Sequence, residues 1–220
     1  KHPSGRRFKF EVKNSLTDAP SAKDDGTMSR GSANCIVCAA QIGNGYLREQ
    51  ATTVGLGSRL LAVVAGGGRG RSYLTPTEED EDAARLEPPA DVPNELVTTP
   101  NHDVDRLPMY GMPRWCDAFT PRQLITLTTL SELVIETRDQ IIADGGSPSY
   151  ADAVATYLGL GVSRTTDLMN SLVTWSNSRD QARNLFSRQA ISMAWDYVEV
   201  SPFAGAAGDV GVALATMSKA

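Results

Sequence analysis

Long apolar runs are missing from these 220 residues. The longest, such as Leu60–Ala65, falls far short of the ~20 residues that span a bilayer. No apolar stretch stands behind the N-terminal Lys1-His2-Pro3, so no secretory signal is expected. There is no initiator Met, and the chain stops at Thr216-Met217-Ser218-Lys219-Ala220, partway through a helix-like pattern. Both ends read as cut, and an internal segment of a larger protein is the expectation. Cysteine is scarce: three residues, two of them in one Cys-x-x-Cys. That is too few for a disulfide framework and points to a reduced, cytoplasmic setting. The two histidines stand in unrelated loops, which leaves a Ser-His-Asp or Cys-His arrangement without support. No Gly-x-x-x-x-Gly-Lys phosphate loop occurs.

Basic surplus is missing too. The net charge is −5, whereas a free-standing DNA binder draws most of its affinity from an excess of Lys and Arg facing phosphate. The charge is unevenly spread. Residues 1–75 carry 11 Lys/Arg against 5 Asp/Glu, residues 76–105 carry 1 against 10, and residues 106–220 carry 9 against 11. The first third is therefore the part suited to phosphate, and the acidic stretch reads as a solvated face.

What is present reads as α+β: a small β-containing N-terminal part with a hairpin (residues 1–87), a Pro-rich connection (88–118) and a helical C-terminal part (119–220). Phe8–Val12 alternates as a strand does, and residues 14–34 read as loop. A short helix is expected around Tyr46–Thr52, stopped by Gly55 and Gly57. Leu60–Val64 and Arg71–Leu74 read as a β-hairpin around Gly66–Gly70, the first strand buried. Thr75-Pro76-Thr77-Glu78 reads as a capping box opening a helix that ends near Pro88-Pro89, and six prolines follow over residues 88–114.

Thr120-Pro121-Arg122-Gln123 is a second capping box, with Phe119 set to staple onto Leu124 and a stop at Gly145-Gly146. A further helix should begin after Ser149 and carry Val154, Tyr157, Leu158, Leu168, Leu172 and Trp175. Gly159 and Gly161 each weaken it by about 1 kcal/mol relative to Ala, which close packing on a neighbour would explain. Ser178-Arg179-Asp180-Gln181 reads as a third capping box whose helix buries Ala182, Phe186, Ala190 and Met193. On that helix Arg179 and Arg183 would share one face and grip phosphates, or else form a solvated face or pair with Asp180.

Two further motifs bear on chemistry. Cys35-Ile36-Val37-Cys38 is half of a zinc knuckle, two thiolates on one tight turn. Only Cys116, His2 and His102 remain as soft ligands, and none supplies a second pair. Cys35 and Cys38 are thus metal ligands only if others stand outside the chain. Ser201-Pro202-Phe203-Ala204-Gly205-Ala206-Ala207-Gly208-Asp209 follows a strand-like Tyr197–Val200 and precedes a helix from Val210. It departs from the Asp-Pro-Phe-x-Gly-x-Gly loop with which amino-methyltransferases hold S-adenosylmethionine: Ser201 replaces the Asp, and the second Gly is one residue late. It reads as a Gly-rich connection. Glu87-Pro88-Pro89-Ala90 has neither the first residue nor the aromatic of an adenine methyltransferase's catalytic Asp-Pro-Pro-Tyr.

Several stretches, in order, carry a resemblance. They are Ser29-Arg30-Gly31 with the Cys35/Cys38 pair; Tyr46-Leu47-Arg48-Glu49; Gly57–Val64; and Arg69–Thr77. Later come Phe119–Leu124; Tyr150–Val154; Ser178-Arg179-Asp180 with Arg183-Asn184; and Arg188-Gln189-Ala190 with Trp195-Asp196-Tyr197 and Pro202-Phe203. Together they resemble a bacterial and archaeal family of adenine-specific DNA methylases containing a zinc ribbon, known chiefly as a domain of unknown function.

The resemblance implies that the cofactor loop lies far upstream and that Asp-Pro-Pro-Tyr follows shortly after the Trp-Asp…Pro-Phe stretch. The chain would be the long insertion between them. It would carry half of the ribbon and none of the catalytic or S-adenosylmethionine-binding residues. It would contact DNA, through Arg179 and Arg183, or a protein partner. The rival expectation is an interaction module of a restriction or defence complex, docking through its acidic face.

Overall fold

The computed structural model describes residues 8–15, 17, 26–29, 32–67, 70–98, 106–187 and 189–219. The layout is α+β, as the sequence predicts: short antiparallel sheets lie mostly in the N-terminal part and long helices in the C-terminal part. The chain divides into two compact units, Lys1–Arg85 with Met109–Gly111, and Leu86–Pro108 with Met112–Ala220.

In the first unit, β1 (Met28–Ser29), β2 (Ser32–Asn34) and β3 (Gln41–Gly43) form an antiparallel sheet in that order. Residues 14–34, which hold β1 and β2, read as loop in the sequence; these strands are two and three residues long, too short to show alternation. Phe8–Val12, expected as a strand, joins no sheet among the described residues. The Val12 N–H donates instead to Thr75 Oγ1 at 2.9 Å, and the Phe8 and Phe10 rings meet edge to face at 5.3 Å. Thr75 is therefore occupied.

The cap of α2 (Glu78–Ala83) falls to Thr77, whose hydroxyl accepts from the Asp80 N–H while Asp80 accepts from the Thr77 N–H. The helix ends at Ala83, short of the prolines. β4 (Val63–Gly67) and β5 (Gly70–Leu74) pair as a hairpin from Val63↔Leu74 to Gly67↔Gly70. Gly68 and Arg69 at its tip lie outside the described residues, and the expected burial of the first strand fails: Leu61 and Val64 are exposed. Against α1 (Asn44–Thr53) lies Gly111, at φ +77°, so close that a Cβ there would stand 2.1 Å from the Ala51 carbonyl oxygen. Ala51 is buried, and Arg48 stands over the Tyr110 ring at 5.9 Å.

The second unit is built on α3 (Pro121–Ala143), α4 (Pro148–Thr165) and α5 (Val210–Met217). Thr120 and Gln123 form the predicted capping box, and α3 stops where Gly145 takes φ +90° and the Gly146 N–H donates to Ile141 O. The cap of α4 is Ser147 rather than Ser149, with Pro148 at the first helical position. The helix ends at Thr165, so Leu168, Leu172 and Trp175 are not on it. Buried Asn170 accounts for the change of course: its amide donates to Thr166 O (2.7 Å) and its carbonyl accepts from the Leu172 N–H (2.9 Å), the turn-forming habit of this side chain. Gly161 carries the predicted close packing, since a Cβ there would meet Leu214 Cδ2 of α5 at 2.4 Å; Gly159 faces open space.

Residues 93–97 and 113–116 of the Pro-rich stretch, expected as an extended, ordered connection, pair with one another within this unit. Val97 N–H donates to Pro113 O, Trp115 N–H to Glu95 O and Cys116 N–H to Pro93 O. Val97 and Leu107 join Ala118 and Leu172 in the core cluster, with Trp115, Phe119, Leu185, Ile191 and Met193 packed against it.

The third capping box does not form. Trp175–Ser176 (β6) and Gln181–Ala182 (β7) pair as a hairpin through the turn Asn177–Asp180. Asn, Ser and Asp at these positions are turn formers as readily as caps, and Asp180 takes φ +51°. With no helix to bury it, Phe186 is 61% exposed, and Leu185–Ser187 make a single 3-10 turn.

Candidate metal half-site and arginine hairpin

Cys35 and Cys38 occupy the tight turn between β2 and β3. The Ala39 N–H donates to Cys35 O and the Cys35 N–H to Ala40 O, both at 2.8 Å. Ala39 sits at φ +57°, in the left-handed region that a non-glycine residue rarely enters. Hydrogen bonds from the Val37 and Cys38 backbone N–H groups and from the Cys38 side chain hold the Cys35 thiol below its ordinary range. A turn whose amides point at sulfur favours thiolate, the form that binds metal.

A second pair of ligands is not found among the described residues, where no group of three or more His, Cys, Asp or Glu side chains is placed to hold a metal. His2 and His102 lie outside the described residues. Cys116 has the opposite chemistry: burial and the neighbouring Asp117 carboxylate raise its pKa.

Arg179 and Arg183 are not on one helical face, since that helix is replaced by the β6–β7 hairpin. Arg179 stands in the turn, its N–H donating to Ser176 O (3.2 Å), and Arg183 follows β7, its N–H donating to Thr174 O (2.9 Å). Both are exposed. Arg188 lies outside the described residues.

The Gly-rich loop after Val200 is closed on itself. Asp209 caps α5 by accepting from the Val212 N–H (3.0 Å) and reaches back to the Gly205 N–H (2.8 Å). These bonds hold its carboxyl below the usual range. Gly208, at φ +94°, lies where a Cβ would meet Val200 Cγ2 at 2.4 Å. The glycines thus serve the turn's own packing. One contact has no local signal in the sequence: Arg122, the second residue of α3, makes a two-pronged bridge to Glu199, Nε to Oε1 and Nη2 to Oε2, both 2.6 Å.

The sites define an α+β chain with a two-cysteine knuckle on one unit and an arginine-bearing hairpin on the other. No family model, curated protein or solved structure matches the chain.

Proposed function

We propose that the chain is a non-catalytic insertion region of a DNA adenine N6-methyltransferase. The parent enzyme would bind S-adenosylmethionine outside this chain. Here a cysteine knuckle would supply half of a structural zinc site, and the β6–β7 hairpin would supply phosphate contacts. The observation that carries the reading is the Cys35–Ala40 turn, which has the backbone hydrogen bonds and thiolate-favouring amides of a zinc half-site. The resemblance read from the sequence supports it, as do two exposed arginines on one hairpin. Cys35 and Cys38 would hold the metal together with ligands outside the chain, and the metal would fix a fold rather than act in chemistry.

The test is duplex DNA binding followed across salt. Replacing Arg179 and Arg183 by Ala should flatten the log–log salt slope by about two units, one per phosphate contact, without changing sequence preference. An unchanged slope in a folded double variant would remove the nucleic-acid role. Attention would then pass to a protein-interaction module of a restriction or defence complex. That second reading is favoured by α2, whose Glu78, Glu79 and Asp82 form an exposed acidic face.

A further inference from the structure

α4 runs unbroken from Pro148 to Thr165, so the helical repeat fixes where its side chains stand around the axis. One side faces the rest of its unit. Ala151, Gly161 and Thr165 are buried there; Gly161 lies against Leu214 of α5, and Asp152 binds Arg138 of α3 at 2.7 Å. The side turned away carries Tyr150, Ala153, Tyr157, Leu160 and Arg164, alternately three and four residues apart, and all five are exposed. Tyr150, Tyr157 and Leu160 keep 60%, 63% and 55% of their surface in solvent. The outer flank of this stripe is Ser149, Thr156 and Ser163, exposed and uncharged. The Thr156 hydroxyl is satisfied within the helix, donating to Asp152 O at 2.8 Å, so covering it strands no donor.

Three-four spacing is the seam along which two helices pack, and the residues on it fix a direction. Parallel pairing of two such helices would set Ala153 on Ala153, leaving a gap, and Arg164 on Arg164, opposing like charges. Antiparallel pairing about a twofold axis beside Ala155 sets Tyr157 on Ala153, a large side chain on a small one, and Tyr150 on Leu160. It also carries Arg164 to the turn that follows α3 in the other copy. Asp144 stands in that turn, exposed, accepting from Gln140 Nε2 at 2.9 Å. Neither Arg164 nor Asp144 makes an ion pair among the described residues.

We propose that the outer face of α4 is the surface through which two copies of this chain associate, helix against helix and antiparallel. A second copy is singled out because one surface supplies both halves of every contact, as a twofold interface requires: the large side chains and the small one, the cation and the carboxylate. Tyrosine suits the role, with a ring to bury and a hydroxyl to leave at the wet edge. Covering the stripe on both copies removes on the order of 1,000 Å² from water, the low end for a specific interface. The association is therefore weak and reversible. It is independent of the nucleic-acid reading above.

The experiment is sedimentation velocity of the full chain from micromolar to near-millimolar concentration, with and without reductant and chelator. The chain should pass from monomer to dimer as concentration rises, under every condition. Tyr157→Glu should weaken the dimer about a hundredfold, since the lost anchor is counted twice across the axis. Arg164→Asp and Asp144→Arg should each weaken it about tenfold, and the two together should restore it. Circular dichroism separates lost association from lost fold, and Leu160→Gln serves if Tyr157→Glu unfolds. A monomer at all concentrations would overturn the proposal, as would a dimer indifferent to both Tyr157→Glu and Leu160→Gln. A dimer that reductant or chelator abolishes would move the contact to Cys35 and Cys38 and refute the assignment. A charge-swapped double variant no tighter than either single one would refute the antiparallel register and the twofold argument with it.

Discussion

The two units hold themselves together by different means. In the first, Ala51 and Tyr110 are the buried apolar side chains among the described residues, and Leu56, Leu61, Val64 and Leu74 stay exposed. In the second, Leu107, Met169 and Val173 are almost fully buried, and Val97, Ala118, Leu124, Ala151, Leu172, Ala182 and Ala194 join them. A small unit that buries little apolar surface depends on some other staple, often a metal. The knuckle stands in that unit. The contrast predicts that the units respond differently to the same kind of damage.

The largest expected effect is in the first unit. Gly111→Ala forces a left-handed residue to carry a Cβ against the Ala51 carbonyl, where the obstacle is backbone and cannot rotate away. The cost should be about 3 kcal/mol. Hydrogen exchange should show α1 losing protection while α3 and α4 keep theirs; equal loss in both would mean that the two unfold as one.

The second unit should be damaged less by a comparable insult. Gly161→Val meets Leu214, a side chain that can shift, and should cost about 2 kcal/mol in thermal unfolding of the helical signal. A cost as large as that of Gly111→Ala would show that the α4–α5 contact is as rigid as backbone.

Both units start a helix on a carboxylate with a lowered pKa, Asp80 through the Thr77 N–H and hydroxyl, Asp209 through the Gly205 and Val212 N–H groups. A depressed folded-state pKa gives stabilisation that is complete above the ordinary carboxylate range and lost as pH falls through the folded-state value. Asp209→Ala should cost about 1 kcal/mol at neutral pH, the usual loss for an N-cap. Asp209→Asn should keep most of the cap and remove its acid sensitivity, as read by circular dichroism against pH. An acid transition of α5 unchanged in the Asn variant would move the titration to another group. The smallest effect has the opposite sign: Gly159→Ala, in open space on α4, should stabilise by roughly 0.5–1 kcal/mol.

The same contrast explains which parts were legible in the sequence. The α3 start was readable because Thr120, Pro121 and Gln123 act within one turn, and its stop because Gly145 alone tolerates the conformation found there. Gly161 was readable as a packing contact, but the same reading failed for Gly159, which faces open space, so a helical glycine alone does not mark a contact. The tight turn between Cys35 and Cys38 was readable from residue type and spacing, but Ala39 at positive φ was not, since nothing in its side chain asks for it. The region from Asn177 to Asp180 misled because capping residues and turn residues are the same residues, and here they make the turn of the β6–β7 hairpin.

The Arg122–Glu199 bridge joins residues 77 apart in the chain. Such a contact closes a long loop, and its entropic cost is met only once much of the intervening chain is in place. α3 and α4, neighbours through a short turn, can form earlier from local contacts. The bridge is then a late event on the folding route, and weakening it should quicken unfolding while leaving the folding rate nearly unchanged. The strand-like segment around Tyr197 is, on this account, the last part of its unit to arrive and the first to leave.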